Sequence, residues 1–185
     1  MSTKSNPEGS KAPYRTGTQI RDLVITAMLG ALMFSSKIVM EILPNIHLLG
    51  MLIIASTVVF RTKALLSIYV YVFLDGLIHG FNIWWYPYLY IWTILWGAAM
   101  LLPKRMPKRV CVVVYPLLCA LHGFLFGVLY APAQMLFFSL TVEETIAWIA
   151  AGFAFDVTHG VSNFCMGLLI FPLVTLMRRL LKKAV

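Results

Sequence analysis

Apolar residues run along this chain in long blocks broken by short polar or charged segments, and charges are almost absent from the blocks themselves. The pattern predicts six helices, at about 20–42, 46–61, 64–81, 86–102, 109–130 and 146–177. The second is short: at ~1.5 Å of rise per residue it covers roughly 22 Å, less than the ~30 Å hydrocarbon core of a bilayer. Segment 131–145, "APAQMLFFSLTVEE" and one further residue, is expected to be a loop. Within it, Thr141-x-x-Glu144 has capping-box spacing, so the last helix is expected to start near Val142 and to have room for a break near Gly152. Residues 1–18 are polar, with no apolar stretch of their own, and predict a disordered cytoplasmic tail. Residues 19–180 form the helical domain, and 181–185 are a short basic tail.

Composition places these helices in a membrane. Of 185 residues, 61% are hydrophobic and 12% charged, against roughly 25% charged in ordinary soluble domains. The expected fold is therefore an all-α polytopic integral membrane protein, a six-transmembrane-helix bundle. The net charge of +8 raises the question of nucleic acid, but its distribution answers it. Lys4, Lys11, Arg15 and Arg21 precede the first helix, and Arg61 and Lys63 fill the second connection. Lys104, Arg105, Lys108 and Arg109 fill the fourth, and Arg178, Arg179, Lys182 and Lys183 close the chain. These fourteen fall on one side and only Lys37 on the other, which by the positive-inside rule puts both termini in the cytoplasm of a cell-membrane protein. No nucleic-acid partner is needed to explain the charge. Cys111, Cys119 and Cys165 have no metal-ligand spacing and read as small buried hydrophobes.

Against this apolar background the polar residues stand out. "LDGLIHGFN" (74–82) and "FDVTHGVSN" (155–163) each place an Asp, a His, a Gly and an Asn inside apolar sequence. Helical rise puts Asp75 roughly 17 Å and His79 roughly 23 Å above the cytoplasmic start of the third helix. Asp156, His159 and Asn163 descend from the outer half of the last helix. Lys37 and Glu41 lie near the outer end of the first helix, Asn45 and His47 in the turn after it, Asn82 after the third helix, and Gln134 beyond the fifth, which also carries His122. Ionisable groups at such depth cost several kcal/mol unless paired or facing water. Asp75 with His79, and Lys37 with Glu41, stand i,i+4 and suit local pairs; their shared depth across several helices suits a solvated pocket. The aromatic run "FNIWWYPYLYIW" suits an interfacial belt, while Trp85, Tyr88 and Trp92 extend inward far enough to stack on a flat ligand.

Several chemistries are not encoded. There is no G-x-x-x-x-G-K-[ST] for ATP, no H-E-x-x-H and no G-x-S-x-G. His79, His122 and His159 each precede a Gly on a different helix, without spacing that specifies a metal. No enzyme activity, metal or cofactor is expected, and uphill transport would need energy from another polypeptide.

The helix count, the outer-half polar set and the stretch "TAMLGALMF", with Ala27 and Ala31 in A-x-x-x-A spacing, resemble the substrate-binding S components of energy-coupling factor (ECF) transporters over residues 20–180. "SKIVMEILPNIHLLG" and "WWYPYLYIWTILWG" look similar to such sequences as well. The resemblance implies a subunit that captures a water-soluble vitamin or related micronutrient from outside, held under the first outer loop near Asn45 and His47. It implies partners: a transmembrane coupling subunit docked on Ala27 and Ala31, and two cytoplasmic ATPases. Small residues four apart allow such close helix approach. The candidate substrate-binding set is Lys37, Glu41, Asn45, His47, Asp75, His79, Asn82, Trp85, Tyr88, Trp92, Gln134, Asp156, His159 and Asn163. Its acidic excess favours a neutral, amine-bearing or zwitterionic ring compound over a strongly anionic one. The competing expectation is a proton-coupled secondary transporter of a small polar solute, with Asp75 and Asp156 as carriers. Such transporters are usually built from longer inverted repeats.

Overall fold

The computed structural model describes residues 16–43 and 46–183. Among them every regular element is helical, and no strand occurs. Eight α-helices follow one another: α1 (Thr16–Met40), α2 (Leu49–Phe60), α3 (Ala64–His79), α4 (Tyr86–Leu101), α5 (Lys108–Phe124), α6 (Phe126–Phe138), α7 (Val142–Gly167) and α8 (Ile170–Lys183). Single 3-10 turns join α2 to α3 and lead into α4. By length and composition three helical runs, Gln19–Met40, Leu49–His79 and Lys108–Phe138, can cross a membrane. The pair α7–α8, bent by 44°, adds a fourth if it is one span.

The run Leu49–His79 is not one rod, because its contacts to α4 reverse at Arg61. Arg61 donates to the Met100 carbonyl at 2.6 Å and its own carbonyl accepts from Trp96 Nε1 at 3.1 Å. Further on, Tyr69 reaches the Leu89 carbonyl and Val72 the Trp85 indole, so α3 climbs as α4 descends. His47, just before α2, touches Trp92 in the middle of α4, so α2 descends with α4. Arg61 makes the turn at φ 56, in the left-handed region that costs a non-glycine residue energy; its two bonds to α4 hold it there. By the same reasoning α7–α8 runs against α5–α6, with Asp156 beside Gly127 and Gly167 beside Pro116. The bundle thus has α1, α3 and α5–α6 running one way, and α2, α4 and α7–α8 the other.

At the centre lies α2. Every residue from Leu49 to Thr57 is buried, which explains a sequence with no polar face: a helix covered on all sides needs none. Around it pack Met33, Ile68, Tyr71, Ile91, Trp92, Leu95 and Ile170, each at most 2% exposed. The outward faces are apolar as well, for example Met28 (66%), Ile78 (63%) and Phe153 (66%), as suits a surface facing lipid rather than water. Two close crossings depend on glycine. A Cβ on Gly30 would lie 2.6 Å from the Ser67 carbonyl of α3, and one on Gly123 would lie 2.8 Å from the Gly160 Cα of α7.

Two expectations about the second half are corrected. Segment 131–145 is not a loop, since α6 runs to Phe138. Ala133, Gln134, Met135 and Leu136 are good helix formers, and they outweigh the single amide removed by Pro132. The last helix does start at Val142 under a complete capping box, with Thr141 Oγ1 accepting from the Glu144 amide and Glu144 accepting from the Thr141 amide. Its break, however, falls at Leu168–Leu169 rather than near Gly152. Pro172 is the cause: its ring conflicts with the carbonyl four residues back, that of Leu168, and it has no N–H to donate there. Of the cysteines, Cys111 and Cys119 are buried, but Cys165 is exposed and does not fit the expected burial.

Candidate functional site

The polar residues of the membrane interior assemble into two clusters joined by a ladder of rings. The first lies between α1 and α3. Asp75, fully buried, accepts from Lys37 Nζ at 2.5 Å and from His79 Nδ1 at 3.0 Å. Glu41 stands 3.6 Å from His79 Nε2. The expected Asp75–His79 pair is therefore present, whereas Lys37 crosses to the neighbouring helix instead of pairing with Glu41. Lys37 also lies 5.6 Å from the Trp84 ring centre, as a cation over an aromatic face. Both partners meet Oδ1, and Oδ2 of Asp75 is buried without a hydrogen-bond partner.

Three rings lead from this cluster into the bundle. Trp84, Tyr88 and Trp92 follow at four-residue intervals, so they line one face of α4 and its entry turn. Their centres are 5.6 and 5.7 Å apart, and His79 stands 6.3 Å from Trp84. Trp85 points elsewhere: its indole donates to the Val72 carbonyl at 2.7 Å and its ring packs on Phe81. Trp85 thus packs between α3 and the turn before α4, off the face that Tyr88 and Trp92 share.

The second cluster surrounds the buried end of the ladder. His47, half-buried at the entrance to α2, has its ring 4.6 Å from that of His159 on α7 and 6.2 Å from Trp92. His122 on α5 lies 5.5 Å from Trp92. Phe126 closes the set, 4.8 Å from His159 and 5.7 Å from Trp92. Asn163, one turn beyond His159, donates to the Cys119 carbonyl. Among the described residues His47 Nδ1, Trp92 Nε1, His122 Nδ1, His159 Nε2 and Asn163 Oδ1 are all buried without a hydrogen-bond partner. Each such orphan costs about 1–3 kcal/mol, and native interiors normally hold few of them. Five in one cluster is an unusual concentration. The described residues include no group of three or more His, Cys, Asp or Glu placed to hold a metal ion.

Asp156 does not join its helical neighbour His159. Its Oδ1 accepts from the Gly127 amide at 3.0 Å, at the joint between α5 and α6. It also borders a groove of about 310 Å³ between α6 and α7, lined with Phe126, Tyr130, Gln134 and Trp148. Asn82 is exposed and shares a separate cleft of about 330 Å³ with Trp84, Gln134 and Phe138. Asn45 lies outside the described residues. Lys37, Glu41, Asp75 and His79 are thus brought together, as are His47, Trp92, His159 and Asn163. Trp85 sits apart from both, Asn82 shares its cleft with Trp84, and Gln134 and Asp156 line the groove that Phe126 borders. The residues of the second cluster absent from the candidate set are His122 and Phe126. The His-Gly pairing that His122 shares with His79 and His159 was the available signal for the first; an isolated Phe offers none.

On α1, the small residue that packs inside the bundle is Gly30. Ala27 is half-buried and Ala31 exposed. No protein-family model matches the chain, and no curated protein or solved structure matches it.

Proposed function

We propose that this chain is a membrane-embedded substrate-binding subunit of the ECF S-component kind. It captures a water-soluble vitamin or related micronutrient outside the cell for import driven by a coupling subunit and two cytoplasmic ATPases. The observation that carries the reading is the cluster of unpartnered polar groups around Trp92, deep in an otherwise apolar bundle, which a polar ligand would satisfy. The alternation of helix directions supports a reading with six crossings, the hairpin at Arg61 included. On that reading fourteen of the fifteen Lys and Arg fall on one side, which by the positive-inside rule favours cytoplasmic termini. The chain has no ATP-binding motif of its own.

Ala31 supports a docking face on α1, because it is exposed while Gly30 serves the internal crossing to α3. The test is co-expression with an ECF module. Ala31→Trp is expected to stay within about 0.5 kcal/mol of wild type in stability, as an exposed position should. It should nonetheless lose co-purification with the coupling subunit and ATP-dependent uptake. Normal co-purification and uptake by this variant would remove the docking face.

A second reading, a proton-coupled secondary transporter of a small polar solute, draws on the Glu41–His79–Asp75 chain of titratable groups. Asp156 weakens it, since that carboxylate serves a backbone amide. Uptake abolished by a protonophore with ATP intact would favour it.

A further inference from the structure

We infer that the groove between α6 and α7 binds a small organic cation, holding its ammonium group on Asp156 and its flat apolar body against Phe126, Tyr130 and Trp148. The inference rests on the substrate-binding reading above and names the class of its ligand.

The first argument is space. The groove offers about 310 Å³, at the lower end of the roughly 300–1,000 Å³ usual for small-molecule pockets. Gly152 lines it, and a Cβ added there would meet nothing within 4 Å. One wall is aromatic. The ring centres of Phe126 and Tyr130 stand 6.1 Å apart, as do those of Tyr130 and Trp148, the latter pair at 27° to one another. The Tyr130 hydroxyl donates to the Trp84 carbonyl at 2.8 Å, which fixes the middle ring. Ring faces in series suit a flat guest and attract a cation.

The second argument is charge. Asp156 lines the groove and no Lys or Arg does. Its Oδ1 accepts from the Gly127 amide, while among the described residues Oδ2 has no hydrogen-bond or ion-pair partner. Glycine at 127 admits the carboxylate, since a Cβ there would collide with Oδ2. An anion would be repelled, and an uncharged ring would leave the carboxylate unmatched in apolar surroundings. A hard metal ion needs about six oxygen ligands, and no group of three or more metal-binding side chains occurs among the described residues. An ammonium group supplies both the opposite charge and N–H donors for Oδ2. A lipid amine brings a phosphate with it, and the groove has no cation to receive one, so the ligand is a soluble amine.

The experiment is calorimetric titration of the full chain in maltoside micelles with three matched indoles: tryptamine, the cation; tryptophol, uncharged; and indole-3-propionate, the anion. Tryptamine is expected to bind at least ten-fold tighter than the other two. Asp156→Asn keeps an oxygen for the Gly127 amide and removes the charge. It should weaken tryptamine at least ten-fold, leave tryptophol within three-fold, and keep the melting temperature of wild type. Gly152→Leu fills the groove and should abolish tryptamine binding. Gly97→Leu, on α4 and equally free of neighbours within 4 Å, should leave it within three-fold. Equal or tighter binding of tryptophol or indole-3-propionate, no binding of tryptamine, or undiminished binding by Asp156→Asn or Gly152→Leu would each overturn the inference. Tryptamine affinity should also stay within three-fold when phosphatidylethanolamine is added to the micelles; a ten-fold loss would give the groove to a lipid headgroup and overturn the soluble ligand. Co-purification with an ECF module is scored separately on the same chain. A module that binds while tryptamine fails removes the ligand class and leaves the subunit reading in place. Tryptamine selectivity without a module does the reverse.

Discussion

"LDGLIHGFN" on α3 and "FDVTHGVSN" on α7 use the same four residue types for opposite ends. On α3 the acid and the imidazole face each other, and Lys37 and Glu41 extend the network, all of whose contacts to the Asp75 carboxylate fall on Oδ1 while Oδ2 stays unpartnered. On α7 the acid is one residue nearer the imidazole in sequence, three apart instead of four, and turns away to the Gly127 amide. His159 and Asn163 are left with unpartnered atoms. The difference separates an ion-paired cluster from a cluster of mostly unpartnered neutral groups inside one bundle, at the level of side-chain pairing rather than of composition.

That comparison can be broken or sharpened by substitution. The largest effect is expected at Asp75. Asp75→Ala strands Lys37 and should cost about 3–5 kcal/mol in a denaturation experiment in detergent. The double variant Lys37→Met with Asp75→Leu should recover more than half of that loss, and a failure to recover would mean the pair is not self-contained. Next comes Asp156→Ala, which should cost about 1–3 kcal/mol by exposing the Gly127 amide without a partner. Asp156→Asn, which keeps an accepting oxygen, should stay within about 1 kcal/mol of wild type. Equal losses in the two would assign Asp156 a role as a charge. The smallest effect is expected at His159: with no hydrogen bond to lose, His159→Leu should change stability by less than about 1 kcal/mol in either direction. A large loss there would place His159 with the structural cluster.

Helical class and helix positions were legible along most of the chain because long apolar blocks and the Thr141–Glu144 spacing are local signals. The shortness of α2 was legible too, but not its place at the centre, since burial on all sides is decided by neighbours. The break before α8 belongs to Pro172, which acts four residues before its own position, and not to the more permissive Gly152. For the site, residue types and approximate depth could be read, and so could the Asp75–His79 pair. The division into two clusters could not. Whether Asp156 meets His159 or a backbone amide depends on where α6 starts, and 131–145 had been expected to be a loop, with no helix entering it.

The joint at Leu125 has a mechanical consequence. His122 stands in the last turn of α5, and Phe126 is the first residue of α6, so two rings of one cluster are carried on two levers. Asp156 ties the α6 lever to α7 through the Gly127 amide, and the close crossing of Gly123 with Gly160 ties the α5 lever to the same helix. A displacement of α7 would therefore reach both rings, through two separate attachments.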